Sequence, residues 1–187
     1  MTTASPTLER GTAVWHIDPT HTNVEFGVRH LMISTARGRF AGVEGSVRVE
    51  DGDLTTAQVD VTIDAASVDT RVEQRDEHLR SADFLDVERF PELRFKSTSV
   101  ERTGEAELRV AGDLTIRDVT HPVVLDVEER GTVLDPWGSE RAGFSASVKL
   151  DRSDYGRTWN QALETGGIVV GDQVKIVIDV ELVLQAE

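Results

Sequence analysis

The feature that most constrains this chain is a side-chain period of two that runs, with one interruption, from Val14 almost to the end. On an extended strand successive side chains point to opposite faces, so apolar residues alternating with polar ones make a ribbon with one dry and one wet face. Ala57, Val59, Val61, Ile63 and Ala65 alternate with Gln58, Asp60, Thr62 and Asp64. Ala142, Phe144, Ala146, Val148 and Leu150 alternate with Gly143, Ser145, Ser147 and Lys149. The chain closes with Val174, Ile176, Ile178, Val180, Leu182 and Leu184 against Lys175, Asp179 and Glu181. Near the start, Val24, Phe26, Val28 and His30 share one face, and Met32 continues it if the strand runs that far. The apolar parity changes between Phe40 and Val43. One extra residue at Ala41-Gly42, a β-bulge, returns Val43, Val47 and Val49 to the core face.

Strands of this kind are long, and twelve residues span about 40 Å. Their apolar faces must be hidden, either by pairing two sheets into a sandwich or by closing one sheet into a barrel. The inward positions from Ala57 to Ala65 and from Ala142 to Leu150 are small, and Gly38, Gly45 and Gly112 fall at or near core-facing positions. Small lining residues predict a lumen instead of a filled core, and an apolar lumen favours an apolar guest.

The alternation breaks at Ser67. From Asp69 to Phe90 the chain is charged, with Val72, Leu79, Phe84 and Leu85 irregularly spaced, which predicts two short helices ending before Pro91. Leu79, Phe84, Leu85 and Phe90 are the residues that such an insertion offers as a lid over one barrel end. The alternative is a solvated helix with local ion pairs.

The remaining features limit function more than fold. At 187 residues with a net charge of −14, the chain suits one domain and is a poor match for nucleic acid or an anionic membrane. It has no cysteine, so thiolate chemistry and disulfides are absent. Residues 1–13 read as a loose arm and 14–187 as a single barrel domain. The polar N-terminus lacks the apolar stretch of a secretion signal and no apolar run is long enough to span a bilayer. The expectation is therefore a cytoplasmic protein that does not insert into the membrane.

Four blocks carry a resemblance: Trp15 to Phe40 (WHIDPTHTNVEFGVRHLMISTARGRF), Arg75 to Phe95, Gly112 to Leu125 and Gly143 to Gly156. In this order they resemble the YceI-like family of lipocalin-like, polyisoprenoid-binding proteins. The resemblance implies an all-β fold, an extended eight-stranded antiparallel barrel with a short helical insertion. It also implies a hydrophobic tunnel that holds a long isoprenoid or similar lipid, with no other cofactor. Many relatives carry a secretion signal, from which this chain departs.

The residues expected to contact such a lipid are Phe26, Val28, Phe40, Phe95, Phe144, Ile168 and Val170 along the tunnel, with Met32, Leu79 and Phe84 toward its ends. His30, Tyr155 and Trp159 have polar handles for a head group, although Tyr155 and Trp159 equally suit capping the core. Arg152 and Asp154 read as a structural pair fixing the loop after Leu150. The Gly-rich stretch from Glu164 to Gly171 lacks the lysine and following helix of a phosphate loop and reads as a flexible connection. His21 and His30 differ by an odd number and point to opposite faces of a regular strand, so Asp18, His21 and His30 do not make a metal site. His16, His78 and His121 complete the histidines. Two rival readings stay open. One is an enzyme acting on a small apolar substrate with His30 and a neighbouring carboxylate as general acid and base. The other is a homodimer through Val177 and Val183, which interrupt the polar face of the last strand.

Overall fold

The computed structural model describes residues 11–160 and 169–186. Among these residues eleven strands and one α-helix follow one another. They are β1 (Thr12–Ile17), β2 (Asn23–His30), β3 (Ser34–Phe40), β4 (Val43–Glu50), β5 (Asp53–Asp64), β6 (Val68–Asp69), α1 (Glu73–Arg80), β7 (Glu92–Arg102), β8 (Glu107–Ile116), β9 (Val119–Leu134), β10 (Glu140–Asp151) and β11 (Val170–Leu184). All pairings are antiparallel.

Three pairs of short strands are single staves with a break. β1 and β2 lie on the same edge of β11, with Trp15 opposite Leu184 and Val24 opposite Ile178. The short 3-10 turn Pro19–His21 separates them, because Pro19 has no N–H for the ladder and the Asp18 carboxylate accepts from Thr20 N instead. β3 and β4 part at Ala41-Gly42, where the sequence predicts a bulge, and Val43 and Val49 return to the buried face as expected. β5 and β6 part at Ala65–Ser67. Counted as staves, the sheet has eight strands in meander order, and the β1–β11 pairing closes it. The expected eight-stranded antiparallel barrel is what the chain forms.

Meander order sorts the connections between two ends. The β2–β3 turn, the segment around α1, the β8–β9 turn and the 3-10 turn Arg152–Tyr155 gather at one end. The β4–β5, β7–β8 and β9–β10 hairpins gather at the other.

Several local expectations need correction. The first strand starts at Thr12, so Thr12 and Ala13 pair with Glu50 and Val49 and do not belong to a loose arm. The insertion holds one α-helix, not two. After Arg80 the chain continues in turns, closed by Asp86 with φ of 49° and by the Phe90 N–H donating to Asp86 O. Met32 does not continue the inward row of β2. The chain reverses at Leu31-Met32, both at positive φ as a tight hairpin turn requires, and Met32 is 49% exposed. Gly38 and Gly112 do not leave a lumen in the expected way. A Cβ on Gly38 would lie 2.5 Å from Phe26 Cζ, and one on Gly112 would lie 2.5 Å from Phe95 Cζ. Each glycine is the bed on which an inward aromatic ring lies across the neighbouring strand.

A packed cluster of Phe95, Val110, Leu114, Val123, Leu150 and Tyr155 fills part of the interior. Val148 and Ile176 are half-buried against this cluster, and elsewhere the inward rows are only half-buried, including Phe26, Val28 and Phe144. No helix among the described residues is long and apolar enough to cross a membrane.

Candidate functional site

The barrel interior draws together most of the residues expected at the site. Phe26 and Val28 point inward from β2, and the Phe26 ring meets that of Phe40 with centroids 5.5 Å apart. Phe95 is buried, whereas Phe144 and Val170 are half-buried. Ile168 and most of the Gly-rich connection lie outside the described residues. His30 is not in the interior. It sits at the strand end opposite Val170, is exposed, and its imidazole makes no hydrogen bond or ion pair with any described residue.

The insertion is fastened to the barrel end by arginines from three parts of the chain. Arg80 donates to Ala66 O at 2.9 Å and Val68 O at 3.0 Å. Arg117, from the β8–β9 turn, donates to Ala82 O and Phe84 O. Arg157 reaches the same Phe84 O at 3.2 Å. Backbone carbonyls outside regular structure need donors, and a planar guanidinium supplies several in a fixed fork. The half-buried rings of His78, Phe84 and Trp159 then pack together, His78 edge-on to Trp159 at 4.6 Å and to Phe84 at 5.1 Å between centroids, and Phe84 tilted against Trp159 at 5.4 Å. Leu79 is half-buried on the same helix. This trio packs where a lid is expected, and His78 is the member that the sequence gives no reason to include.

Arg152 does not pair with Asp154. Only 7% exposed, it donates to Gly171 O at 3.0 Å, Arg157 O at 2.9 Å and Trp159 O at 2.7 Å, and its nearest carboxylate is Asp172 at 3.7 Å. A buried guanidinium is tolerated because nearly every N–H is spent on a carbonyl.

Between β9 and β10 the wall of the barrel opens. The ladder runs from Glu140↔Leu134 to Ser147↔Asp126 and then stops. Beyond it β9 pairs only with β8, and β10 only with β11. Arg152–Tyr155 lies behind the parting, which forms a crevice of about 530 Å³. Tyr155 is 2% exposed, belongs to the packed cluster and also lines the crevice. His121 meets its ring edge-on at 5.8 Å. His121 shares the parity of Val119, Val123 and Leu125, so the alternation of its strand was the signal that it faces inward. Its Nδ1, 3.2 Å from Pro122 O, must carry the proton, since a carbonyl only accepts.

The other titratable cluster is away from the interior. Asp18, His21 and Glu181 bring ligand atoms within 4.8 Å of one another. Arg141 already supplies the cation there, with Nη1 2.8 Å from Asp18 and 2.6 Å from Glu181 and Nε 2.7 Å from Asp135. Hydrogen bonds from Thr20, His21 and Arg141 hold the Asp18 carboxyl well below the usual carboxylate range, while Asp18 raises His21. The group of carboxylates and guanidinium is a structural knot tying β1, β10 and β11.

The YceI-like domain model matches residues 15–182. The chain is 39% identical over 165 residues to Protein YceI of Salmonella newport, covering 88% of this chain and 83% of that protein. It is 44% identical over 138 residues to a UPF0312 protein of Serratia proteamaculans, covering 74% and 71%. Among solved structures, the YCEI protein of Campylobacter jejuni matches with a TM-score of 0.72 and 31% identity over 85% of this chain and 90% of that one. BcnA of Burkholderia cenocepacia shares the fold with a TM-score of 0.77 at 20% identity, covering 88% and 98%. A polyisoprenoid binding domain from Saccharophagus degradans also shares it, with a TM-score of 0.66 at 13% identity, covering 91% and 98%. With the model matched from the first strand into the last, and with these relatives, the chain belongs to the family of YceI-like domains.

Proposed function

We propose that this protein carries or stores a long apolar lipid, of the polyisoprenoid or isoprenoid-quinone kind, along the inside of its barrel and does no chemistry on it. The observation that carries the reading is the half-buried inward row of Phe26, Val28 and Phe144 in a closed sheet. A filled core leaves no such surface accessible, and covering it with hydrocarbon is favourable by about 25 cal/mol per Å². The Saccharophagus degradans neighbour, described as a polyisoprenoid binding domain, supports the same guest class. The packed rings of His78, Phe84 and Trp159 suit a lid over one end of the barrel. Among the described residues no carboxylate reaches the His30 imidazole, which gives a general acid–base role there no support.

Organic extraction and native mass spectrometry of the purified protein test the reading. A prenyl lipid should be recovered in near-stoichiometric amount, or taken up by stripped protein. A protein that yields none and takes up none, while remaining folded, overturns it.

A further inference from the structure

Two buried side-chain polar atoms among the described residues have no hydrogen-bond partner, Arg117 Nε and Tyr155 Oη. The first belongs to a guanidinium whose other nitrogens are engaged by Ala82 O, Phe84 O and Asp86. The second is the whole polar content of its side chain. An orphaned hydroxyl in an apolar cluster is costly, so such groups persist where something else completes them.

The surroundings say what completes it. Tyr155 lines the crevice where β9 and β10 part, and its hydroxyl is buried next to that opening in the wall. Being a phenol in an apolar cluster, it remains protonated and offers a hydrogen to an acceptor. The crevice also bears three carboxylates, Asp126, Asp151 and Asp154, against two ammonium groups, Lys149 and Lys175. A diphosphate head would enter an excess of like charge, in a chain that already has a net charge of −14.

We propose that Tyr155 Oη donates a hydrogen bond to an uncharged oxygen of the bound lipid, a carbonyl or hydroxyl, seated at the parting between β9 and β10. This deepens the carrier reading and rests on it. It selects prenylated quinones or prenols over polyprenyl phosphates and over pure hydrocarbons, and it puts the polar end of the guest at the side of the barrel.

Three probes on stripped protein test it: a geranyl-substituted benzoquinone, squalene and farnesyl diphosphate. The wild type should bind the quinone more tightly than farnesyl diphosphate. Tyr155→Phe, which removes only the hydroxyl, should weaken the quinone about tenfold, leave squalene unchanged and raise the melting temperature of the empty protein. Tyr155 is the single tyrosine of the chain. Fluorotyrosine labelling therefore gives one fluorine resonance, which should move with the quinone and stay with squalene. Undiminished quinone binding by Tyr155→Phe, a preference for farnesyl diphosphate, or a fluorine line indifferent to the quinone overturns the proposal. Binding of squalene without the quinone does the same and spares the carrier reading. A wild type that takes up neither defeats both.

Discussion

Arg141 and Asp18, 123 residues apart in sequence, meet at 2.8 Å and fasten the start of the chain to β10. Arg141 also holds Asp135 and Glu181, and hydrogen bonds from Thr20, His21 and Arg141 keep Asp18 ionised well below the ordinary carboxylate range. The depressed carboxyl contributes stability that is present above the unfolded value, about 3.9, and is lost as pH falls through the folded value. Arg141→Gln should therefore lower the melting temperature by several degrees at pH 7, and the gap to wild type should narrow as pH drops below about 4. Thermal melts from pH 7 to pH 2 check this; a gap of constant size over that range contradicts the account.

Gly38 and Gly112 look alike in sequence but should respond differently to repair. Alanine at either brings Cβ within contact of a ring, and overpacking of this kind costs about 1–3 kcal/mol. At Gly38 the near atoms are all side-chain atoms, Phe26 Cζ and Cε1 and Thr70 Cγ2. At Gly112 they include Lys96 O at 2.6 Å, which is backbone. Phe26→Leu should recover most of the loss in Gly38→Ala, whereas Phe95→Leu should recover little of the loss in Gly112→Ala. Double-mutant cycles by urea unfolding distinguish the two, and equal rescue at both sites would show that the carbonyl is irrelevant.

The sequence made the barrel legible because period two is a property of each strand by itself. It also exposed the break at Ala41-Gly42, where parity visibly shifts. What it hid depends on which strands are neighbours. His121 had the right parity to face inward, but nothing local says that Tyr155 comes from another segment to meet it. His78 looked like one charge among many on α1 until Phe84 and Trp159 closed on it. His30 and Met32 misled for the opposite reason. They extend an inward row in register, but the strand stops and reverses at Leu31-Met32, in a turn whose positive φ angles fall on residues that seldom advertise it. Gly38 and Gly112, which suggest empty space in the sequence, are beds for rings, since volume absent at one position is taken up by a side chain from the adjacent strand.

Arg152 is buried with most of its N–H groups on backbone carbonyls, and its substitution should be costly in a distinctive way. Arg152→Met leaves the carbonyls of Gly171, Arg157 and Trp159 short of their donors, a loss of about 2–4 kcal/mol. Arg152→Lys keeps the charge but cannot reproduce the fork, so it should recover less than half of that loss. Hydrogen exchange at Gly171 and Val170 should speed up more than exchange at Leu182, because the defect is local to this end of β11. A lysine variant as stable as the wild type would refute the role given to the fork.

Burial pushes the Tyr155 phenol up to about 12, because the phenolate would lose its water without gaining a donor. The unfolded chain ionises its tyrosine near 10. A raised folded value means that the protonated form is favoured in the native state, so the stability it contributes is full below the unfolded value and falls as pH rises from about 10 to 12. With one tyrosine in the chain, the phenolate absorbance at 295 nm reports this group alone. The native protein should show no ionisation step near pH 10 and should begin to ionise only close to 12, or together with alkaline unfolding. Tyr155→Phe should lose the absorbance step and flatten the decline of stability over the same interval. Ionisation of the native protein near pH 10 would mean that water reaches the hydroxyl freely, and with that the reason for expecting a lipid oxygen beside it would disappear.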